Sequence, residues 1–305
     1  MALALLLSAC ATPQTRALLQ DSHLDSLPPV VELEQVPFFP QEDHQCGPAS
    51  LATALSAAGI KTDPANITQQ VYLPGREGSL QVEMLAAARR NGAVPYLLKP
   101  DLREVLAEVR SGTPVVILQN LGLSWYPVWH YAVIIGYDLP NGNLLLRSGK
   151  EHRQALALTT FERTWARSNY WAFVALPPGK LPVTATEDGY LASVVSMESL
   201  GLIHHARVSY AAALERWPKS LTAAIGLGNT AFALKDMDAA EAAFLKASQD
   251  HPESAIAHNN LAHVLAKRAR YNAALTAARR AVELGGPHAA EARRTLSDIE
   301  TAMHR

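Results

Sequence analysis

The sequence predicts an α+β domain with an antiparallel sheet over residues 33–176, followed by an all-helical repeat domain over residues 187–305. The first part alternates helical segments with short apolar runs of strand length, and the second part repeats an alanine-rich pattern every 34 residues. A chain of 305 residues is long enough for about two domains, each of which can bury a core.

The composition excludes several classes of protein. A formal net charge of −1 argues against a nucleic-acid partner, because nucleic-acid-binding proteins usually carry a basic excess. The two cysteines, Cys10 and Cys46, are too few for a disulfide framework, and no cluster of metal ligands surrounds them. No apolar run approaches the ~20 residues of a membrane-spanning helix. We therefore expect no nucleic-acid partner, metal or cofactor.

The chain begins with an apolar run that ends in small residues and Cys10. The residues Leu7-Ser8-Ala9-Cys10 resemble the lipobox of bacterial lipoproteins, although no Lys or Arg precedes the run. This resemblance implies that residues 1–10 are a signal peptide and that acylated Cys10 anchors the protein in the bacterial cell envelope, facing the periplasm. A chance apolar N-terminus with a spare cysteine stays open. Residues 11–32, which contain three prolines, are predicted to form a flexible tether.

The elements of the α+β domain follow from local signals. The predicted helices each stop at Gly, Asn-Gly or Ser-Gly, and they cover Ala49–Ala58, Leu80–Arg90 and the segment from the N-cap Asp101 to Arg110. The predicted strands are the apolar runs Pro114–Gln119, His130–Tyr137, Leu144–Arg147 and Tyr170–Leu176. Asn141-Gly142 is a hairpin signal, which makes the sheet antiparallel. Prolines and a glycine then mark a linker over residues 177–186.

The second domain carries columns of small residues in one register. These columns are Ala206, Ala240 and Ala274, then Ala213, Ala247 and Ala281, with prolines at positions 218 and 252. They resemble the tetratricopeptide repeat, in which small residues stand where helices cross closely. The resemblance covers residues 187–286, and residues 287–303 would be the capping helix. It implies a domain that binds a protein partner or presents the substrate.

The stretch Gln41–Ser50 contains a candidate nucleophile and candidate oxyanion donors. Cys46 begins a predicted helix, whose positive dipole end should lower the pKa of the thiol and favour the thiolate. Gly47 would allow close approach of a substrate backbone, and Pro48 suits the first helical turn. The backbone N–H of Cys46 is then free to bind an oxyanion, with a nearby Gln side chain as second donor. A thiol nucleophile also needs an imidazole base, and His130 at the start of a strand is the best candidate.

At this point the pattern resembles a known family. Gln41, Cys46-Gly47-Pro48-Ala49 and His130-Tyr131 resemble the peptidase C39-like family of papain-type cysteine peptidases, related to bacteriocin-leader processing domains. The resemblance implies a papain-like fold with an N-terminal nucleophile helix, and a peptide or protein substrate. It also implies that Cys46 is the nucleophile, His130 the base and Gln41 the oxyanion residue.

The third catalytic position departs from the family pattern. The family usually has an Asp on the strand after the histidine hairpin, whereas Ser148 stands there in this chain. Glu151 is an alternative carboxylate, because the chain folds back around Asn141-Gly142, and a neutral group can also orient an imidazole. Trp125, Tyr126 and Trp129 could line a substrate groove or cover the end of the core.

The sequence therefore predicts a membrane-anchored cysteine peptidase with a repeat domain for protein binding. A catalytically silent binding lipoprotein on the same fold is the alternative from another class. Transglutaminase-like or amidase chemistry on the same Cys and His pair also stays open, because acyl transfer depends on the acceptor.

Overall fold

The chain forms two compact units. The computed structural model describes residues 12–20, 27–41, 45–76 and 78–304. One unit ends at Pro177 and takes in Leu181–Gly189, and the other contains Pro178–Lys180 and Tyr190–Arg305. The predicted fold class, an α+β domain with an antiparallel sheet followed by an all-helical domain, is confirmed. The predicted signal peptide with its lipobox at Cys10 lies outside the described residues.

The first unit is built on a seven-stranded antiparallel sheet. The strands are β1 (Val30–Glu32), β4 (Val94–Leu97), β5 (Val115–Asn120), β6 (Trp129–Asp138), β7 (Asn143–Ser148), β8 (Glu151–Ala157) and β9 (Ala172–Leu176). They run in the order β4-β9-β5-β6-β7-β8, and β1 pairs with β6 beside a bulge between Ile134 and Gly136. Gly136 is required there, because a Cβ at this position would lie 2.3 Å from the carbonyl oxygen of Val31 in β1.

Helices and one small hairpin complete this unit. The hairpin consists of β2 (Tyr72–Leu73) and β3 (Gly78–Ser79). The helices are α1 (Pro13–Leu19), α2 (Cys46–Ala57), α3 (Pro64–Val71), α4 (Gln81–Arg90), α5 (Leu102–Arg110) and α6 (Leu158–Ala166). Helix α2 is buried along most of its length, and its apolar residues join the core beneath β5, β6 and β9.

The predicted tether over residues 11–32 is wrong where α1 and β1 form. The buried carboxylate of Glu162 accepts hydrogen bonds from the backbone N–H groups of Gln14 and Thr15 at 2.9 and 2.7 Å. A proline at the first helical position loses no intrahelical bond, so Pro13 starts α1 instead of breaking it.

Part of the predicted linker also packs on the first unit. Thr184 donates its backbone N–H and its hydroxyl to one carboxylate oxygen of the buried Glu108, at 2.8 and 2.7 Å. The exact domain limits stay a prediction.

The second unit consists of helix pairs. Its crossing positions are small, since Ala240 and Ala274 are fully buried and a Cβ on Gly228 would lie 2.3 Å from the Phe244 ring. The unit contains α7 (Glu187–Ser199) from Tyr190 onward. The helices that follow are α8 (Ile203–Arg216), α9 (Leu221–Ala233), α10 (Met237–Asp250), α11 (Ala255–Lys267), α12 (Tyr271–Leu284) and α13 (Ala289–Met303). No helix in the described part of the chain has the length and apolar character needed to cross a membrane.

Candidate active site

Cys46 is the first residue of α2, and its sulfur lies among backbone N–H groups. Hydrogen bonds from the N–H groups of Cys46, Gly47 and Tyr131 favour the thiolate. The first N–H groups of a helix have no partner within the helix, which leaves two of these donors free for the sulfur. The third comes from β6, so α2 and β6 together define the position of the thiol.

Burial nevertheless dominates the electrostatics of Cys46. Partial burial of the thiol raises the pKa of Cys46, and this effect exceeds the lowering by the backbone N–H groups. The expected net lowering of the Cys46 pKa is therefore wrong, although the helix N-terminus acts in the expected direction. A thiol with the ordinary pKa of 9.0 is already neutral at pH 7, and the raised pKa of Cys46 favours the neutral form further.

Gly47 serves the packing of the protein itself. A Cβ at this position would lie 2.6 Å from Oγ of Ser79, and Ser79 in turn accepts a hydrogen bond from the Tyr131 hydroxyl through its carbonyl oxygen at 3.2 Å. The packing against β3 therefore already requires a glycine at position 47, and the expected approach of a substrate backbone there stays a prediction.

His130 is the second residue of β6 and contacts Ser148 at the end of β7. Nε2 of His130 and Oγ of Ser148 are 2.9 Å apart, which leaves Nδ1 as the ring nitrogen available for another partner. Burial lowers the pKa of His130, so the imidazole is neutral at pH 7. Among the described residues, no hydrogen bond joins this ring to the Cys46 thiol. The resting site thus holds a neutral thiol and a neutral imidazole rather than an ion pair.

Ser148 is the residue that contacts His130, and Glu151 is not. Glu151 pairs with Ser148 across the turn between β7 and β8, but its side chain is exposed. Ser148 is buried and its hydroxyl is uncharged. The imidazole consequently has an orienting partner without the carboxylate that would raise the pKa of His130.

Gln41 reaches the same end of β6. Its backbone N–H donates to the carbonyl oxygen of Gly149 at 3.0 Å, and its Nε2 donates to the carbonyl oxygen of Tyr131 at 3.4 Å. Tyr131 therefore contacts the Cys46 thiol through its N–H and the Gln41 amide through its C=O. The backbone of Tyr131 therefore binds both the predicted nucleophile, Cys46, and the predicted oxyanion donor, Gln41, at the position that follows His130.

Arg147 is a residue that the sequence reasoning missed. Its buried guanidinium donates to the carbonyl oxygens of Glu34, Val36 and His152, and burial lowers its pKa. These bonds fix the segment that leads to Gln41 against the strand that carries Ser148. A cation at the end of the apolar run Leu144–Arg147 was the available signal.

The aromatic residues before His130 do not cover the core. Trp125, Tyr126 and Trp129 are 80%, 69% and 51% exposed in and beside the loop between β5 and β6. The interpretation of these residues as a cap on the end of the core is therefore wrong.

In the described part of the chain, no three His, Cys, Asp or Glu side chains come together in a way that could hold a metal ion.

A comparison with known families gives a match for the first domain. Residues 33–173 match the model of the Peptidase_C39 like family, and this segment contains Gln41, Cys46, His130 and Ser148. The C39-like fold that the sequence predicts for the first domain agrees with this match. A search among curated proteins gave no match.

Solved structures resemble each half of the chain at low identity. A putative C39-like peptidase from Bacillus anthracis is 20% identical over 48% of this chain and 97% of its own, with a TM-score of 0.41. A double glycine motif protease from an AMS/PCAT transporter, in complex with the leader peptide, is 19% identical over 47% of this chain and 93% of its own, with a TM-score of 0.36. The first TPR of Spaghetti (RPAP3), bound to an HSP90 peptide, is 18% identical over 37% of this chain and 90% of its own, with a TM-score of 0.36.

Proposed function

We propose that the first domain is a cysteine peptidase that cleaves a peptide or protein substrate through a thioester on Cys46. One observation carries the proposal: the Ser148 contact at Nε2 leaves Nδ1 of His130 free, and the Cys46 thiol lies on the N–H of the next residue, Tyr131. Nucleophile and base thus come from α2 and β6, and thiol-dependent acyl transfer requires the base to lie within reach of the thiol.

The neutral resting pair defines the order of events. As the sulfur of Cys46 bonds to the substrate carbonyl carbon, the thiol proton passes to Nδ1 of His130. The oxyanion accepts hydrogen bonds from the Cys46 N–H and from Nε2 of Gln41. When the C–N bond breaks, the imidazolium of His130 gives its proton to the leaving amine. Water then attacks the thioester, His130 takes the water proton, and the proton returns to the Cys46 sulfur as the acid leaves.

A catalytically silent binding protein on the same fold is the second candidate. The raised pKa of Cys46, the lowered pKa of His130 and the serine in place of a carboxylate all favour it. Each of these features reduces the population of the thiolate before substrate binds.

Appearance of new peptide termini separates the two candidates. We expect the full chain to cleave members of a proteome-derived peptide library, detected by mass spectrometry, and Cys46→Ala to abolish the new termini. His130→Ala should remove most of them, and the double variant should be no worse than the worse single variant, because the two residues act as one unit. Cys10→Ala serves as the cysteine control and should cleave like the parent. Identical peptide patterns for the parent and Cys46→Ala would favour the silent candidate.

The second part of the proposal concerns where the protein is located and what its repeat domain binds. We propose that Cys10 carries a lipid that holds the protein in the bacterial cell envelope, facing the periplasm, and that the repeat domain binds a protein partner or the substrate. The lipobox-like residues Leu7–Cys10 and the tetratricopeptide-like helix pairs support these two roles.

A further inference from the structure

The loop between β5 and β6 forms an exposed apolar projection, which we call the aromatic tip and define as residues 121–129. Proteins seldom expose contiguous apolar patches of this kind without a partner. From Ser111 to Tyr137 the sequence contains no Asp, Glu, Lys or Arg. The exposed members, each at least 49% accessible, are Leu121, Leu123, Trp125, Tyr126, Val128 and Trp129.

The aromatic tip is braced from its base. Oδ1 of Asn120 accepts hydrogen bonds from the N–H groups of Gly122 and Val128, both at 2.9 Å. Arg167 at the end of α6 donates to the carbonyl oxygens of Asn120 and Gly122 at 3.1 and 2.6 Å. The exposure of the apolar side chains is therefore built into a fixed loop and does not result from a missing interaction at its base.

Four residues of the aromatic tip pair their backbones with one another. The N–H of Leu121 donates to the carbonyl oxygen of Val128 at 2.8 Å, and Leu123 and Tyr126 exchange hydrogen bonds with each other. These residues therefore offer apolar side chains rather than an open strand edge to a partner. A peptide that binds by strand addition needs free backbone groups, whereas a lipid surface requires that they be satisfied.

The shape and composition of the tip fit a bilayer surface. Trp125 is 80% exposed, so a partner that covers most of its ring has to enclose it. Trp and Tyr prefer the boundary between headgroups and acyl chains, where an apolar ring and a polar handle are both accommodated. We propose that the aromatic tip inserts into the interfacial region of a membrane. This insertion directs the end of the sheet that carries His130 toward the lipid surface.

Vesicle binding tests this inference without any acyl chain. The full chain carrying Cys10→Ser is mixed with large unilamellar vesicles of phosphatidylcholine, and the bound fraction is measured by sedimentation. We expect binding accompanied by a blue shift of tryptophan emission. Because the tip carries no charge, added phosphatidylglycerol or salt should change the binding little. Trp125→Asp should lower the partition coefficient about 10- to 100-fold, because it removes a large apolar side chain and places a charge at the tip.

A matched variant controls for the general effect of a surface charge. Val82 in α4 is 66% exposed, and Val82→Asp should bind vesicles like its parent. Failure of the Cys10→Ser protein to bind, or equal binding by Trp125→Asp, would overturn the inference. If the vesicles bind nothing and Trp125→Asp instead alters only the cleavage of library peptides, the tip contacts substrate side chains and the membrane assignment is wrong.

Discussion

At Cys46, burial and the helix N-terminus act in opposite directions on the thiol pKa, and burial has the larger effect. A raised thiol pKa means that the thiolate, the form that alkylates, is lost as the pH falls through a value above 9.0, the ordinary one. In the Cys10→Ser chain we therefore expect alkylation by iodoacetamide to be slow at pH 6 and to reach half its maximal rate above pH 9. Free cysteine, measured alongside, should react faster at pH 7. A midpoint below pH 7 would show a thiolate–imidazolium pair in the resting protein and contradict this account.

At His130, the uncharged partner Ser148 can be exchanged for a charged one. Ser148→Asp would place a carboxylate beside Nε2, which stabilises the imidazolium and raises the pKa of His130. The imidazolium in turn favours the thiolate, so the midpoint of alkylation should move about one pH unit or more toward acid. Glu151→Gln is the control and should leave the midpoint in place, because the exposed Glu151 does not contact the ring. An unchanged pH profile of alkylation in Ser148→Asp would mean that the residue at position 148 does not affect the pKa of His130.

The residues of the candidate site could be predicted from sequence to different degrees. Cys46 and His130 were identifiable because each occupies the start of a regular element, and Ser148 because the hairpin fixes which strand lies beside β6. The protonation state of Cys46 could not be predicted, because desolvation depends on every group packed around the thiol. Arg147 was missed for the same reason, since its acceptors lie on the segment before Gln41 and beyond the turn of β7.

At the scale of elements, the crossing of helices in the repeat domain depends on small side chains. Ala240 in α10 is fully buried in the cluster around Phe244. Ala240→Leu adds volume to this packed crossing and should lower the free energy of unfolding of the second domain by ~1–3 kcal/mol, measured by chemical denaturation. Ala242→Leu, on an exposed position of the same helix, is the matched control and should cost little. Equal losses for the two variants would show that the crossing tolerates a larger side chain.

Elements with their own local signals were predicted from the sequence, and those that depend on distant partners were not. The strand β6 and the hairpin to β7 carry an apolar run and Asn141-Gly142, and the structure forms this hairpin with Asp138 paired to Asn143 across residues 139–142. The strand β8 is mostly exposed and polar, so it has no apolar run that would reveal it. Helix α1 is capped by the carboxylate of Glu162, which stands 147 residues away from Thr15.

At the scale of the whole molecule, two features bear on membrane attachment: the predicted lipid on Cys10 and the aromatic tip around Trp125. Their contributions separate in a Trp125→Asp background, where insertion of the tip is weakened. There we expect Cys10→Ala to move the protein from the membrane fraction to the wash, because acyl chains supply the remaining affinity at ~0.8 kcal/mol per buried methylene group. Cys46→Ala in the same background is the control for loss of a cysteine and should stay with the membrane. Equal retention of the Trp125→Asp protein with and without Cys10 would contradict the lipid anchor, since no other acylation site is proposed.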